Sequence, residues 1–153
     1  MSRPIHLALA LALIVSLSRA GSIPAAELPA ALTAELDQAT YVYIASQRKT
    51  GGFGKPAEIW FLHHAGALWV GTPPTTWRVK RIKAGRTAAR IAIGKSDGPA
   101  FQAVGSLVND PEVQNLMLQT YAKKYPDRWP AYEQKFRSGF KDGSRVLVKY
   151  TPQ

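Results

Sequence analysis

Between Glu58 and Asp97 the chain carries no acidic residue, yet Arg78, Lys80, Arg81, Lys83, Arg86, Arg90 and Lys95 all fall there. The chemistry suited to that composition is the holding of an anion. On a helix, Arg78 and Arg81 stand three apart and share one side, while Lys80 and Lys83 share another. Thr75 and Thr76 come just before, so hydroxyls and free backbone amides would stand at the helix start beside two guanidiniums. Arginine forks bond phosphate oxygens directionally, which a merely solvated basic face does not do. The plain alternative is a set of charges that keeps the protein soluble. Both arginines are expected to be exposed, so Arg78→Glu together with Arg81→Glu is expected to remove phosphate binding and spare the fold.

Aromatic residues flank this cluster: Trp60, Phe61, Trp69 and Trp77, with Tyr41 and Tyr43 ahead of them. A planar ring could stack there, although aromatics at strand spacing more often build a core. His63 and His64 are neighbours on a strand and point to opposite faces, which is poor geometry for one metal, and no metal site is expected. HExxH, GxGxxG followed by a helix, GxxxxGK and GxSxG are all missing. No convincing acid-base pair assigns a catalytic residue. If the chain is an enzyme, the difficult chemistry therefore belongs to a cofactor.

The 153 residues are 46% hydrophobic and 20% charged, enough for one ordinary core. Without cysteine there is no disulfide, no thiolate zinc site and no cysteine nucleophile. Residues 1 to 20 combine a basic start, an apolar run from Leu7 to Leu17 and the ending Ser18-Arg19-Ala20, the pattern of a signal peptide. The run is too short for a permanent anchor, which needs about 20 apolar residues. The expectation is an exported protein, periplasmic or extracellular, with residues 21 to 153 as one domain. Its net charge would be +8, since removing Arg3 and Arg19 leaves 18 basic residues against 10 acidic. Nucleic acid is not expected as a partner, because the basic residues concentrate on one short element instead of an extended aromatic-lined surface.

The elements that must position the cluster read as follows. Glu27 to Ala39, with leucines four apart and opened by Pro29 near its first turn, predicts a helix covering the sheet. Tyr41 to Ala45 and Glu58 to His63 predict strands of a hairpin joined through Gly51-Gly52 and Gly54. Ala67 to Thr72 extends the meander and has little polar surface on either face. A short helix over Trp77 to Ala84, capped by Thr75 or Thr76 and stopped by Gly85, follows Pro73-Pro74. Strands at Thr87 to Ile93 and Phe101 to Val108, helices at Val113 to Lys123 and near Pro130 to Phe140, and a final strand from Ser144 to Tyr150 complete the pattern. Six or so mostly antiparallel strands with short flanking helices predict an α+β domain closed to a barrel.

Spread from about Tyr41 to Pro152, the motifs resemble the pyridoxamine 5'-phosphate oxidase-like superfamily, split β-barrels that bind FMN or the deazaflavin F420. Lys55-Pro56-Ala57-Glu58-Ile59-Trp60-Phe61 resembles its G-x-P-x-x-x-x-W-F strand, and Thr76-Trp77-Arg78-Val79-Lys80-Arg81-Ile82 its T…S-x-K-V-x-R-L segment. Leu68-Trp69-Val70-Gly71-Thr72, Ala122-Lys123-Lys124-Tyr125 and Val146 to Pro152 resemble its third strand, helix end and closing strand. The resemblance implies that Thr72, Thr76, Arg78 and Arg81, with Lys80, hold a cofactor phosphate and that Trp60 lines the ring pocket. It implies an FMN- or F420-dependent oxidoreductase, a homodimer with the ring between subunits, passing hydride to a small organic acceptor. Arg78 stands where the family has lysine, and Ala84-Gly85-Arg86 replaces an N/D-P-R turn. Export argues for the other outcome, a non-enzymatic binding protein on the same fold that holds a phosphorylated ligand or haem.

Overall fold

The structure, a computed structural model, describes residues 26–153; the expected signal segment lies outside the described residues. The chain forms α1 (Ala30–Gln38), β1 (Val42–Ser46), β2 (Ala57–Ile59), β3 (Leu62–His64), β4 (Ala67–Thr72) and α2 (Trp77–Lys83). Then follow β5 (Ala88–Ile93), β6 (Ala100–Val108), α3 (Pro111–Lys124), α4 (Glu133–Asp142) and β7 (Val146–Pro152), with a 3-10 turn at Trp129–Ala131 before α4. Among the described residues no helix is long and apolar enough to cross a membrane.

The seven strands form one antiparallel sheet in the order β2-β1-β5-β6-β7-β4-β3. The expected strand from Glu58 to His63 is in fact two. Its first half pairs with β1 and its second with β4, at opposite edges of the sheet. Only Trp60 and Phe61 separate them. Three residue steps span at most ~11 Å, so the two edges must meet and the sheet must curl into a split barrel. The expected meander is corrected accordingly: β2 does not continue to β4 as one ribbon, because the chain crosses the barrel seam between them. Between β3 and β4, Ala65 and Gly66 both take positive φ, 51° and 68°, as a tight two-residue hairpin requires.

Strand alternation then divides the core in two. Leu68 and Val70 of β4, with Val148 and Tyr150 of β7, point into the barrel against Val42, Ile44, Ile91 and Phe101. Ala67 and Trp69, with Leu147, point outward into a second cluster with Val113, Met117, Tyr121, Trp129 and Phe136 of the later helices. This explains why β4 reads apolar on both faces. At Gly71 the helices come so close that a Cβ would stand 2.9 Å from the Phe136 ring and 3.0 Å from Met117 Sδ. Asp110 starts α3 by accepting from the backbone amides of Glu112 and Val113, both at 3.1 Å. Pro29 opens α1 from its cap position, so the helix starts at Ala30 and not at the expected Glu27. Leu36 of α1 is fully buried against the barrel interior.

The seam is fastened from the end of α3. Tyr125 Oη accepts from the Phe61 amide at 3.2 Å and donates to the Thr40 carbonyl at 2.8 Å. Lys124 Nζ lies 3.4 Å from the centre of the Phe61 ring and 3.5 Å from the Phe61 carbonyl. Burial of this amine lowers its pKa from the ordinary 10.5 to about 8, against the opposing pull of the Asp37 carboxylate. The unfolded chain therefore binds more protons than the folded one between those values, so stability should rise with pH from about 8 to 10. Above that, buried Tyr121 and Tyr150, whose pKa values burial raises, make the unfolded chain ionise first, and stability should fall. Urea titrations across this range should show the rise in the natural chain and its loss in Lys124→Met.

Candidate functional site

The cluster expected to hold phosphate converges on one cleft of about 390 Å³. Thr72 ends β4, Thr76 precedes α2, and Arg78 and Arg81 stand on one side of that helix; all four line the cleft. Ser46 and Lys55, at the two ends of the β1–β2 hairpin, form the opposite wall with Trp77 at the rim. Ser46 was marked by no motif, and Lys55, which opens the Lys55–Phe61 motif, was not assigned to the site. Lys80 is exposed on the other side of α2, its Nζ 5.0 Å from the centre of the Trp77 ring, and does not line the cleft.

Helix α2 is held down by Val79, fully buried, and by Ile82, which sits on β6 at Gly105. A Cβ at Gly105 would stand 2.9 Å from Ile82 Cδ1, so the bare glycine is what lets the helix approach. The expected threonine cap is not formed. Thr76 Oγ1 donates to the Pro73 carbonyl at 3.1 Å and accepts from Thr72 Oγ1 at 3.4 Å. A seven-residue helix has a weak dipole, and the guanidiniums supply the site's positive charge.

Arg78 is not exposed, contrary to expectation: it is 9% accessible. Its Nη1 is buried without a hydrogen-bond partner, as is the hydroxyl of Tyr150, beside which it lies. Among the described residues the ion pairs are His63–Asp37, Lys95–Asp97 and Arg137–Glu133, and none involves Arg78 or Arg81. A buried guanidinium without a paired acid is costly. The double glutamate substitution is accordingly no longer a clean test, because it would bury a carboxylate where a cation now lies.

Arg81 is steered by a single bond, Nη1 to the Ser46 carbonyl at 3.0 Å. Gly54 leaves the room: a Cβ there would stand 2.9 Å from that nitrogen. Gly54→Ala should push the flexible guanidinium aside at little cost in stability. The expected result is weaker phosphate binding, by about three- to tenfold, with a melting temperature within about 2 °C of the natural chain.

Trp60, expected at a cofactor ring, does not line this cleft. Its ring stacks on Tyr125 at 4.3 Å, meets Tyr121 and Tyr132 edge-on at 5.7 and 5.3 Å, and belongs to the packing of the outer cluster. It does line a second cleft of about 250 Å³, with Arg128, Tyr132 and Arg145, which shares Ile59 and Thr72 with the first. His63 pairs through Nδ1 with Asp37 at 2.7 Å, and His64 is exposed. Among the described residues no three His, Asp or Glu side chains stand close enough to hold a metal ion.

The curled seven-stranded sheet, flanked by four helices, makes this an α+β split β-barrel protein, its edge strands β2 and β3 unpaired with each other where a closed barrel was expected. Solved structures share that architecture. A candidate pyridoxamine 5'-phosphate oxidase from Listeria innocua aligns with a TM-score of 0.56 at 16% identity, covering 80% of this chain and 91% of that one. An F420 reductase aligns with a TM-score of 0.56 at 19% identity over 82% and 96%. HutZ, the haem storage protein of Vibrio cholerae, gives a TM-score of 0.56 at 12% identity over 80% and 88%. No protein-family model and no curated protein matches the sequence. The fold is thus one that carries a reductase and a haem storage protein alike, and the site must discriminate between them.

Proposed function

We propose that the cleft between α2 and the β1–β2 hairpin holds the phosphate of a flavin or deazaflavin cofactor, FMN or F420, and that the protein is an oxidoreductase acting on a small organic molecule. The observation that carries this reading is the burial of Arg78 at the cleft, with its Nη1 lacking a hydrogen-bond partner and no acidic side chain paired with it among the described residues. Arg78 and Arg81 would take the phosphate oxygens, with the Thr72 and Thr76 hydroxyls as further donors and Lys55 closing the rim. When bound, such a cofactor supplies hydride transfer. The chain's own groups bind and orient it, and no carboxylate or imidazole lines the cleft.

Haem fits the cleft less well. Its iron is ordinarily held by His, Cys, Met or Tyr, and the lining offers none of these. Export of the chain, the expectation from residues 1 to 20, is compatible with either a cofactor-loaded enzyme or a binding protein and is kept as part of the proposal. So is a homodimer.

The test is a titration of the purified protein with FMN and separately with F420, followed by quenching of cofactor fluorescence. Saturable quenching at micromolar concentration by either supports the reading and names the cofactor. Indifference to both, with saturable uptake of haem, would replace it by the binding-protein reading.

A further inference from the structure

Of the chain's four tryptophans, three are occupied by the protein itself. Trp69 is buried and donates from Nε1 to the His64 carbonyl at 3.1 Å, Trp129 is buried in the outer cluster, and Trp60 stacks on Tyr125. Trp77 alone stands out in solvent, 71% exposed, the most open large apolar side chain among the described residues. Its backbone neighbours are Thr76 and Arg78, and it lines the same cleft as Arg78 and Arg81. Its one close cation is Lys80, 5.0 Å from the ring centre, so most of the indole is left uncovered. A large aromatic surface held at the mouth of a cationic cleft is the arrangement that recognises a flat ring joined to a phosphate: charge fixes one end and stacking the other.

We infer that Trp77 is the platform for the planar ring of the bound ligand, and that the cleft selects phosphate esters of flat heteroaromatic compounds over inorganic phosphate or aliphatic phosphates. This rests on the phosphate reading of the preceding section and adds the ring to it. It also moves the ring from Trp60, where the sequence placed it, to a residue one step from the guanidinium that holds the phosphate.

The natural chain, Trp77→Ala and Trp77→Phe are titrated with inorganic phosphate and with FMN, with thermal shift and fluorescence as readouts. The expected result is that Trp77→Ala binds FMN at least tenfold more weakly, that Trp77→Phe recovers most of the loss, and that inorganic phosphate stabilises all three chains alike. Equal FMN affinity in Trp77→Ala and the natural chain, with phosphate still bound, would overturn the ring assignment and leave the phosphate site standing. A variant whose only change is its mass in solution would overturn it too, assigning Trp77 to a contact between copies. If the natural chain responds to neither phosphate nor FMN, the phosphate reading itself falls.

Discussion

Arg78→Met is expected to weaken FMN binding by about ten- to a hundredfold while the ligand-free protein melts at the same temperature or higher. The two halves of that expectation have one cause. Arg78 is buried, has an unpartnered Nη1 and has no carboxylate within ion-pair distance, so in the empty cleft its charge is an uncompensated cost. Methionine keeps much of the volume and removes the charge, which lifts that cost. A charge-assisted hydrogen bond contributes about 1.5–3 kcal/mol, and each 1.4 kcal/mol is a factor of ten, which sets the loss in affinity. Arg78→Lys should fall between, since it keeps the charge but not the planar fork. Thermal melts with and without FMN check both halves at once. A structural arginine would behave oppositely, with Arg78→Met losing stability in the absence of ligand.

The second large effect is on stability. Trp60→Ala should lower the unfolding free energy by about 3 kcal/mol, the lower end of the usual range for large aromatic truncations, because the ring is only partly buried. That corresponds to roughly 10 °C in melting temperature for a chain of this size. Trp60 sits in the two-residue link between the sheet's edge strands and stacks on Tyr125, whose hydroxyl accepts from Phe61 and donates to Thr40. Losing the indole opens the seam and unseats the phenol that fastens it. Trp60→Phe should lose less than half as much. At temperatures where the variant is folded, its FMN affinity should stay within about threefold of the natural chain, which separates packing from cofactor contact. A tenfold loss of affinity with unchanged stability would return Trp60 to the ligand.

Much of this architecture was legible because local signals and tertiary demands agreed. β4 spans Ala67–Thr72, as its continuous apolar run predicted, since it is buried on both faces. α2 begins at Trp77 and ends before Gly85, whose φ of 78° favours glycine. α3, read as Val113 to Lys123, begins two residues earlier at Pro111 behind its Asp110 cap and runs one residue further, to Lys124. The seventh strand was hidden by the seam: Glu58 to His63 has one strand's composition, and only the long-range pairing of its halves reveals the break at Trp60 and Phe61. The last helix runs Glu133–Asp142 because Trp129-Pro130-Ala131 takes a separate 3-10 turn.

At the site, charge asymmetry and the i, i+3 spacing marked Arg78 and Arg81 with Thr76 at the helix start, the resemblance added Thr72, and the cleft brings the four together. Burial was not legible, because an arginine on a short basic helix has no local signal that its neighbour Val79 will pull its side of the helix into the barrel. Lys80 faces away for the same helical reason that Arg81 faces in. Ser46 and Lys55 lie far from the cluster in sequence and reach it through the β1–β2 hairpin; Lys55 opened a quoted motif, but no spacing tied it to the arginines.

The most direct measurement is calorimetric titration of FMN into the natural chain and into Arg78→Met at one ionic strength. The account predicts a dissociation constant near micromolar for the natural chain, about −8 kcal/mol, and one about ten- to a hundredfold weaker for the variant. Equal affinity in the two proteins would contradict it, showing that whatever FMN binds to, it is not the anion site that Arg78 defines.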